Sequence, residues 1–185
     1  MPVIVSLLRA VNLGPYNKLN MAELRALYAS LGFRNPQTYL QSGNVVFSTT
    51  SKSLDRIKNQ IEDAIETQFG FRCDVILRTT ADLRSAVKAN PFAGRQDIHP
   101  GRLLVSFLAR PAGANAMDAL EALRLTKKFP GEFHLRGQQL YIHYCNGAGR
   151  SKLTGAVLDK ALQTPGTARN WNTVTNLLRI AEEME

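Results

Sequence analysis

The stretch Thr38–Ser48, TYLQSGNVVFS, reads as a β-hairpin, and the other elements of the chain have to be arranged around it. Ser42-Gly43-Asn44 is a cluster of turn formers between two short β-prone runs. Val45, Val46 and Phe47 suit a pleated, half-buried surface. Upstream, Val3–Leu8 is an apolar run broken only by Ser6, the pattern of a central strand. Arg9–Leu19 follows as a loop. Asn20 fits a helix N-cap, and Glu23 completes a capping-box pattern. Leu24, Leu27, Tyr28 and Leu31 fall on one helical face, and Gly32 is the stop. After the hairpin, Ser53 caps a second helix with the stripe Leu54, Ile57, Ile61, Ala64, Ile65 and its end at Gly70. Cys73–Leu77 is a last short strand. The order β-α-β-β-α-β is that of a ferredoxin-like, or split βαβ, unit.

The second half has a similar pattern. Thr80 caps a short helix that Asn90-Pro91 ends, and residues 90–101 look like a connector. Leu103–Leu108 is a strand, and Ala116, Met117, Leu120 and Leu123 mark a helix. Phe133–Leu135 and Leu140–Tyr144 pair as a hairpin, and Leu153, Val157, Leu158 and Leu162 mark another helix. Trp171, Val174, Leu177, Leu178 and Ala181 form the stripe of a terminal helix. The pattern predicts an α+β fold of two ferredoxin-like subdomains, the second incomplete, with a C-terminal helix in place of its fourth strand. The expected boundaries are 1–79, a helix and connector over 80–101, and 102–185.

At 185 residues and 44% hydrophobic, the chain has enough apolar material for a core. Its two cysteines, Cys73 and Cys145, are too few for a disulfide framework and point to a reducing cytoplasm. The apolar start lacks a cationic lead and reads as a strand, not a signal peptide. No run approaches the length of a membrane span. The net charge is +8, and residues 124–169, with eight basic and two acidic side chains, hold +6 of it. Such a segment attracts phosphates or nucleic acid, or is simply a soluble cationic surface.

Topology groups the polar loops. In a split βαβ unit the end of the first strand, the start of the first helix and the hairpin turn share one sheet edge. Arg9, Asn12, Gly14 and Lys18 are therefore expected beside Ser42, Gly43 and Asn44. Together they make a candidate anion cradle at a helix start. A second candidate cluster is the glycine-rich loop CNGAGRSKLT, with Arg150, Ser151 and Lys152; it is not a Walker A motif. Arg169, Asn170 and Asn172 open the last helix with a similar polar set. Turn and capping roles account for the same residue types without a ligand.

Catalytic and metal signatures are missing. No GxSxG, HExxH or paired-Cys motif occurs, and no cofactor is implied. His134 and His143 lie on opposite arms of one hairpin but lack a carboxylate at ligand spacing, so no metal site is expected. Cys145 and His143 share a strand face, with nothing in the pattern to hold them in reach.

The stretches LLRAVNLGPYNKLNMAELRALYASLGF, TYLQSGNVVF, NPF, GRSKLT and GTARNWNTVTNLL, in that order, resemble the bacterial domain-of-unknown-function family DUF1697. The resemblance runs from about Val3 to about Leu178. It implies a two-part α+β fold with ferredoxin-like subdomains and no established reaction or ligand. Its marks, among them Arg9, Asn12, Gly14, Lys18, Ser42–Asn44, Ser151, Lys152 and Arg169–Thr173, coincide with the polar clusters.

Three functions remain open. One is a binding module for an anionic small molecule or nucleic acid, with Tyr39, Phe47, Tyr141 and Tyr144 as stacking platforms if the ligand is RNA. The second is an enzyme holding a phosphorylated or carboxylated substrate between the halves, with Ser42 or Ser151 taking part in transfer. The third is a scaffold that forms a homodimer through an uncovered strand edge.

Overall fold

The computed structural model describes the backbone of residues 1–185 and every side chain except that of Arg150. The chain divides into two compact units, Met1–Arg84 with Asn176–Glu185, and Ser85–Thr175. Most of the expected 80–101 connector thus belongs to the second unit, and the last ten residues belong to the first. Helices α3 (Thr80–Lys88) and α6 (Trp171–Glu183) each cross the division.

In the first unit the alternation of strand side chains and the helical stripes meet in one core. The order is β1 (Val3–Leu8), α1 (Met21–Ser30), β2 (Arg34–Tyr39), β3 (Asn44–Ser48), α2 (Leu54–Phe69) and β4 (Val75–Thr79). The sheet order is β2-β3-β1-β4, with every neighbouring pair antiparallel. Ile4 and Leu8 of β1, Val45 and Phe47 of β3, and Val75 and Leu77 of β4 pack with Leu24, Leu27, Ile57, Ile61 and Ile65 from the helices. Each such side chain contributes about 2 kcal/mol by leaving water. Ser6, the polar break in β1, is fully buried and shares a 2.7 Å hydrogen bond with the Tyr28 hydroxyl. Burial pushes the Tyr28 phenol far above its ordinary pKa.

Local signals set the helix ends. The Asn20 side chain accepts from Ala22 N and Glu23 N, and Ser53 Oγ accepts from Arg56 N. Gly70 ends α2 in the left-handed region, at φ 75°. Two expectations shift. β4 begins at Val75 rather than Cys73, where Glu62 Oε1 accepts from Val75 N at 2.8 Å. Thr79, not Thr80, caps α3: its hydroxyl accepts from Asp82 N, and Asp82 accepts from Thr79 N. Among the described residues, the buried Thr80 hydroxyl has no partner.

The second unit runs β5 (Leu103–Leu108), α4 (Ala116–Thr126), β6 (Glu132–Arg136), β7 (Gln139–His143), α5 (Gly155–Leu162) and β8 (Gly166–Asn170). Its sheet, β6-β7-β5-β8, is also antiparallel throughout. The expected missing fourth strand is present: β8 pairs with β5 from Leu104↔Asn170 to Leu108↔Gly166, and α6 follows it. Its sequence, GTARN, hides it, because the inward residues are Thr167 and Arg169. The Arg169 guanidinium is satisfied by Thr167 Oγ1 at 2.8 Å and the Ala168 carbonyl at 2.9 Å.

Corresponding backbone bonds recur in both units. Leu8 N donates to Gly43 O and Leu108 N to Gln138 O, both at 2.9 Å. Arg9 N donates to Asp74 O and Ala109 N to Pro165 O, at 3.0 and 2.9 Å. No helix is long and apolar enough to cross a membrane among the described residues. The outer strand β2 is interrupted between Arg34 and Gln37, with Asn35 at φ 50° and Pro36 following it.

Candidate functional site

The loop after β1 and the β2–β3 turn lie side by side, as topology required. The Asn12 side chain spans them: its Nδ2 donates to Gln41 O at 2.8 Å and Leu19 O at 3.0 Å, and its Oδ1 accepts from Leu19 N at 2.8 Å. Asn17 Nδ2 donates to Ala10 O, and Asn12 N to Asn17 O. Asn44, fully buried, donates to Tyr39 O at 2.8 Å and Ser42 Oγ at 2.9 Å. Gly43 has φ 71°, and a Cβ there would meet Leu8 Cβ and Val11 Cγ2, each at 2.7 Å. Only glycine permits that approach. Arg9 faces Asp74 at 3.5 Å, while Gly14 and Lys18 stand exposed. The hydrogen-bonding groups of this cluster are largely engaged with one another.

The second unit is different. The pairing Glu132↔His143 closes the open end of the β6–β7 hairpin, so the chain before β6 and the chain after β7 run beside each other there. A cavity of about 600 Å³ opens between them. Thr126, Lys127, Lys128, Phe129 and Pro130 line it from the end of α4. Tyr144, Asn146, Gly147, Ser151, Lys152 and Leu153 line it from the loop after β7. Phe129 stacks on Phe133 at 5.0 Å and meets Tyr144 edge-on at 5.4 Å, so the floor is a fixed aromatic cluster. Burial pushes the Tyr144 phenol up to about 12.

Three lysines, Lys127, Lys128 and Lys152, all exposed, are among the residues around this floor. No acidic side chain is among the lining residues. Three acids of the unit are engaged by arginines: Arg95 binds Glu132 at 2.8 Å and Asp97 at 2.5 Å, and Arg124 binds Glu121 at 2.6 Å. The Arg95 guanidinium holds Asp97 and Glu132 below the usual carboxylate range, and Arg124 does the same to Glu121. The lysines are left to set a positive potential over a partly apolar cleft. Ser151 Oγ accepts from Leu153 N at 3.1 Å, which leaves its O–H free to turn toward a ligand.

Of the residues expected at this second cluster, Ser151 and Lys152 line the cavity. The side chain of Arg150 lies outside the described residues. Arg169, Asn170 and Asn172 are not among the lining residues. Arg169 is buried in β8, and Asn170 donates to Gly101 O at 3.0 Å and accepts from Asn172 N at 3.0 Å, at the start of α6. Asn146 belongs to the expected CNGAGRSKLT loop, whereas Lys127 and Lys128 lie outside both expected clusters. Lys127 and Lys128 belong to the +6 segment, and the hairpin's open end, had it been followed like the turn end of the first hairpin, leads to them.

Two further expectations change. Of the four rings needed at the surface by an RNA reader, Phe47, Tyr141 and Tyr144 are 0%, 0% and 4% exposed, and Tyr39 is half-buried. Tyr141 donates its hydroxyl proton to Ala86 O at 2.6 Å. His143 and Cys145, for which nothing in the pattern provided contact, meet with Sγ 3.7 Å from Nδ1, because the chain leaves β7 between them. The thiol also has the Pro130 carbonyl as acceptor at 3.4 Å, and Cys145 does not line the cavity. Among the described residues, no group of three or more His, Cys, Asp or Glu is placed to hold a metal ion.

Comparison with solved structures finds a similar fold in a conserved bacterial protein, SP0830 from Streptococcus pneumoniae. The TM-score is 0.68 at 20% identity, over 97% of this chain and 98% of that one. No curated protein matches the chain. A family model described as "Protein of unknown function (DUF1697)" matches residues 1–141. The chain belongs to that family.

Proposed function

We propose that this protein binds an anionic small molecule in the cavity of its second unit. The observation that carries the reading is the lining itself: three exposed lysines, no acid, and an aromatic floor. A ligand anion gains charge-assisted hydrogen bonds from ammonium groups that have no competing carboxylate. The volume, about 600 Å³, is that of a small-molecule site. Both units are ferredoxin-like in this proposal, supported by the repeated strand order and the recurring backbone bonds. Cys73 and Cys145, not joined in a disulfide among the described residues, support a reducing, cytoplasmic setting. The bulge and proline of β2 speak against dimerisation through that edge.

Calorimetric titration with inorganic pyrophosphate tests the reading. Binding is expected to weaken as salt rises and to weaken again in the Lys127→Gln, Lys152→Gln double variant. Binding that ignores both salt and the double substitution overturns it, as does no binding.

A further inference from the structure

We infer that the ligand of this cavity is a nucleoside polyphosphate, held as a compact molecule and not as part of a polynucleotide strand; this rests on the anion reading above. Three kinds of group surround the space, and each asks for a different part of a ligand. The first is charge. Lys127 and Lys128 approach from the end of α4, and Lys152 from the loop after β7. A single carboxylate leaves two of these ammonium groups unneutralised, whereas a polyphosphate spreads several charges across the same width.

The second kind is neutral and polar. The Asn146 amide offers a donor and an acceptor side by side, the match for one edge of a heterocyclic base. The Thr126 and Ser151 hydroxyls add donors suited to phosphate oxygens or sugar hydroxyls. The third kind is apolar. Phe129, Pro130, Tyr144 and Leu153 form a wall that the ring contacts of Phe129 with Phe133 and Tyr144 hold in place. A simple inorganic anion leaves this wall wet. A fatty acid covers the wall but brings a single carboxylate to three lysines. A flat heterocycle carrying a polyphosphate satisfies all three.

A nucleic-acid strand is the other ligand with these parts, and the size of the cleft disfavours it. Strand binders track the backbone along an open groove and stack successive bases on exposed rings. Here the space is a single cleft of about 600 Å³, the size of one small molecule.

The test is calorimetric titration of the full chain with ADP, pyrophosphate and adenosine, and competition of ADP by a single-stranded oligoadenylate. The expected result is ADP binding about tenfold or more tighter than pyrophosphate, with adenosine weaker than either. Asn146→Ala is expected to narrow the gap between ADP and pyrophosphate. Equal affinity for ADP and pyrophosphate overturns the inference and leaves the anion reading standing. Failure of both to bind overturns both. Oligoadenylate displacing ADP at lower concentration than ADP itself overturns the compact-ligand inference in favour of a strand.

Discussion

The loop cluster of the first unit and the loop cluster of the second are built from the same residue types and end in opposite conditions. Around Asn12 and Asn44 the amides bond to backbone carbonyls across the two loops, and Gly43 lets them close to van der Waals contact. Around Asn146, Ser151 and Lys152 the chain borders an open cleft, and the charged groups have no acid among the lining residues. Polar loops rich in Asn, Gly and Lys are therefore not in themselves binding sites. What separates a brace from a site is whether the hydrogen-bonding groups find partners within the fold.

The sharpest way to break this contrast is through the glycines. Gly43→Ala is expected to destabilise the protein by about 3 kcal/mol, since the new methyl meets Leu8 and Val11 at 2.7 Å in a left-handed backbone. Gly147 has φ 80° but nothing within 4 Å of the added atom, so Gly147→Ala costs only the backbone strain, about 1 kcal/mol. Denaturant melts of the two variants decide it; equal losses would dissolve the distinction between brace and site.

The asparagines give the next largest effect. Asn44→Ala removes the donor of two bonds at a buried position and is expected to cost about 2 kcal/mol. Asn146→Ala is expected to stay within about 0.5 kcal/mol of the parent protein in the same melts.

Binding comes third. Lys127→Gln and Lys152→Gln are each expected to weaken pyrophosphate about tenfold without lowering the melting temperature. Arg9→Gln combined with Lys18→Gln is expected to leave pyrophosphate affinity as it was. The reverse result would make the first cluster the site.

The smallest effect concerns the acids paired with Arg95. Asp97 and Glu132, held low by Arg95, titrate below their unfolded values. Their contribution to stability is therefore complete at neutral pH and is lost as pH falls through the folded pKa values. Arg95→Gln should make the melting temperature less sensitive to acid, by a small amount that fades in high salt because the pairs are exposed.

Much of the architecture was legible because its causes are local. The apolar runs of β1 and β5 coincide with the observed strands, and Asn20, Ser53 and Gly70 mark helix ends. A turn-former cluster at Ser42–Asn44 and a strand ending at Leu8 were enough to place two loops together. β8 escaped the same logic. A pattern search looks for apolar residues facing inward, and there the inward residues are a threonine and an arginine. Bonds such as those Arg169 makes to Thr167 and Ala168 make their burial tolerable.

The amino-acid sequence alone determined most of the elements, the hairpins and the meeting of the Arg9–Lys18 loop with the Ser42–Asn44 turn. Those follow from side-chain periodicity and turn chemistry acting over a few residues. Tertiary structure alone decided which polar groups are engaged and which face a cavity. Partners such as Asn12 with Gln41, or Lys128 with Lys152 across the cleft, are separated by more than 20 residues in sequence, and no local preference relates them.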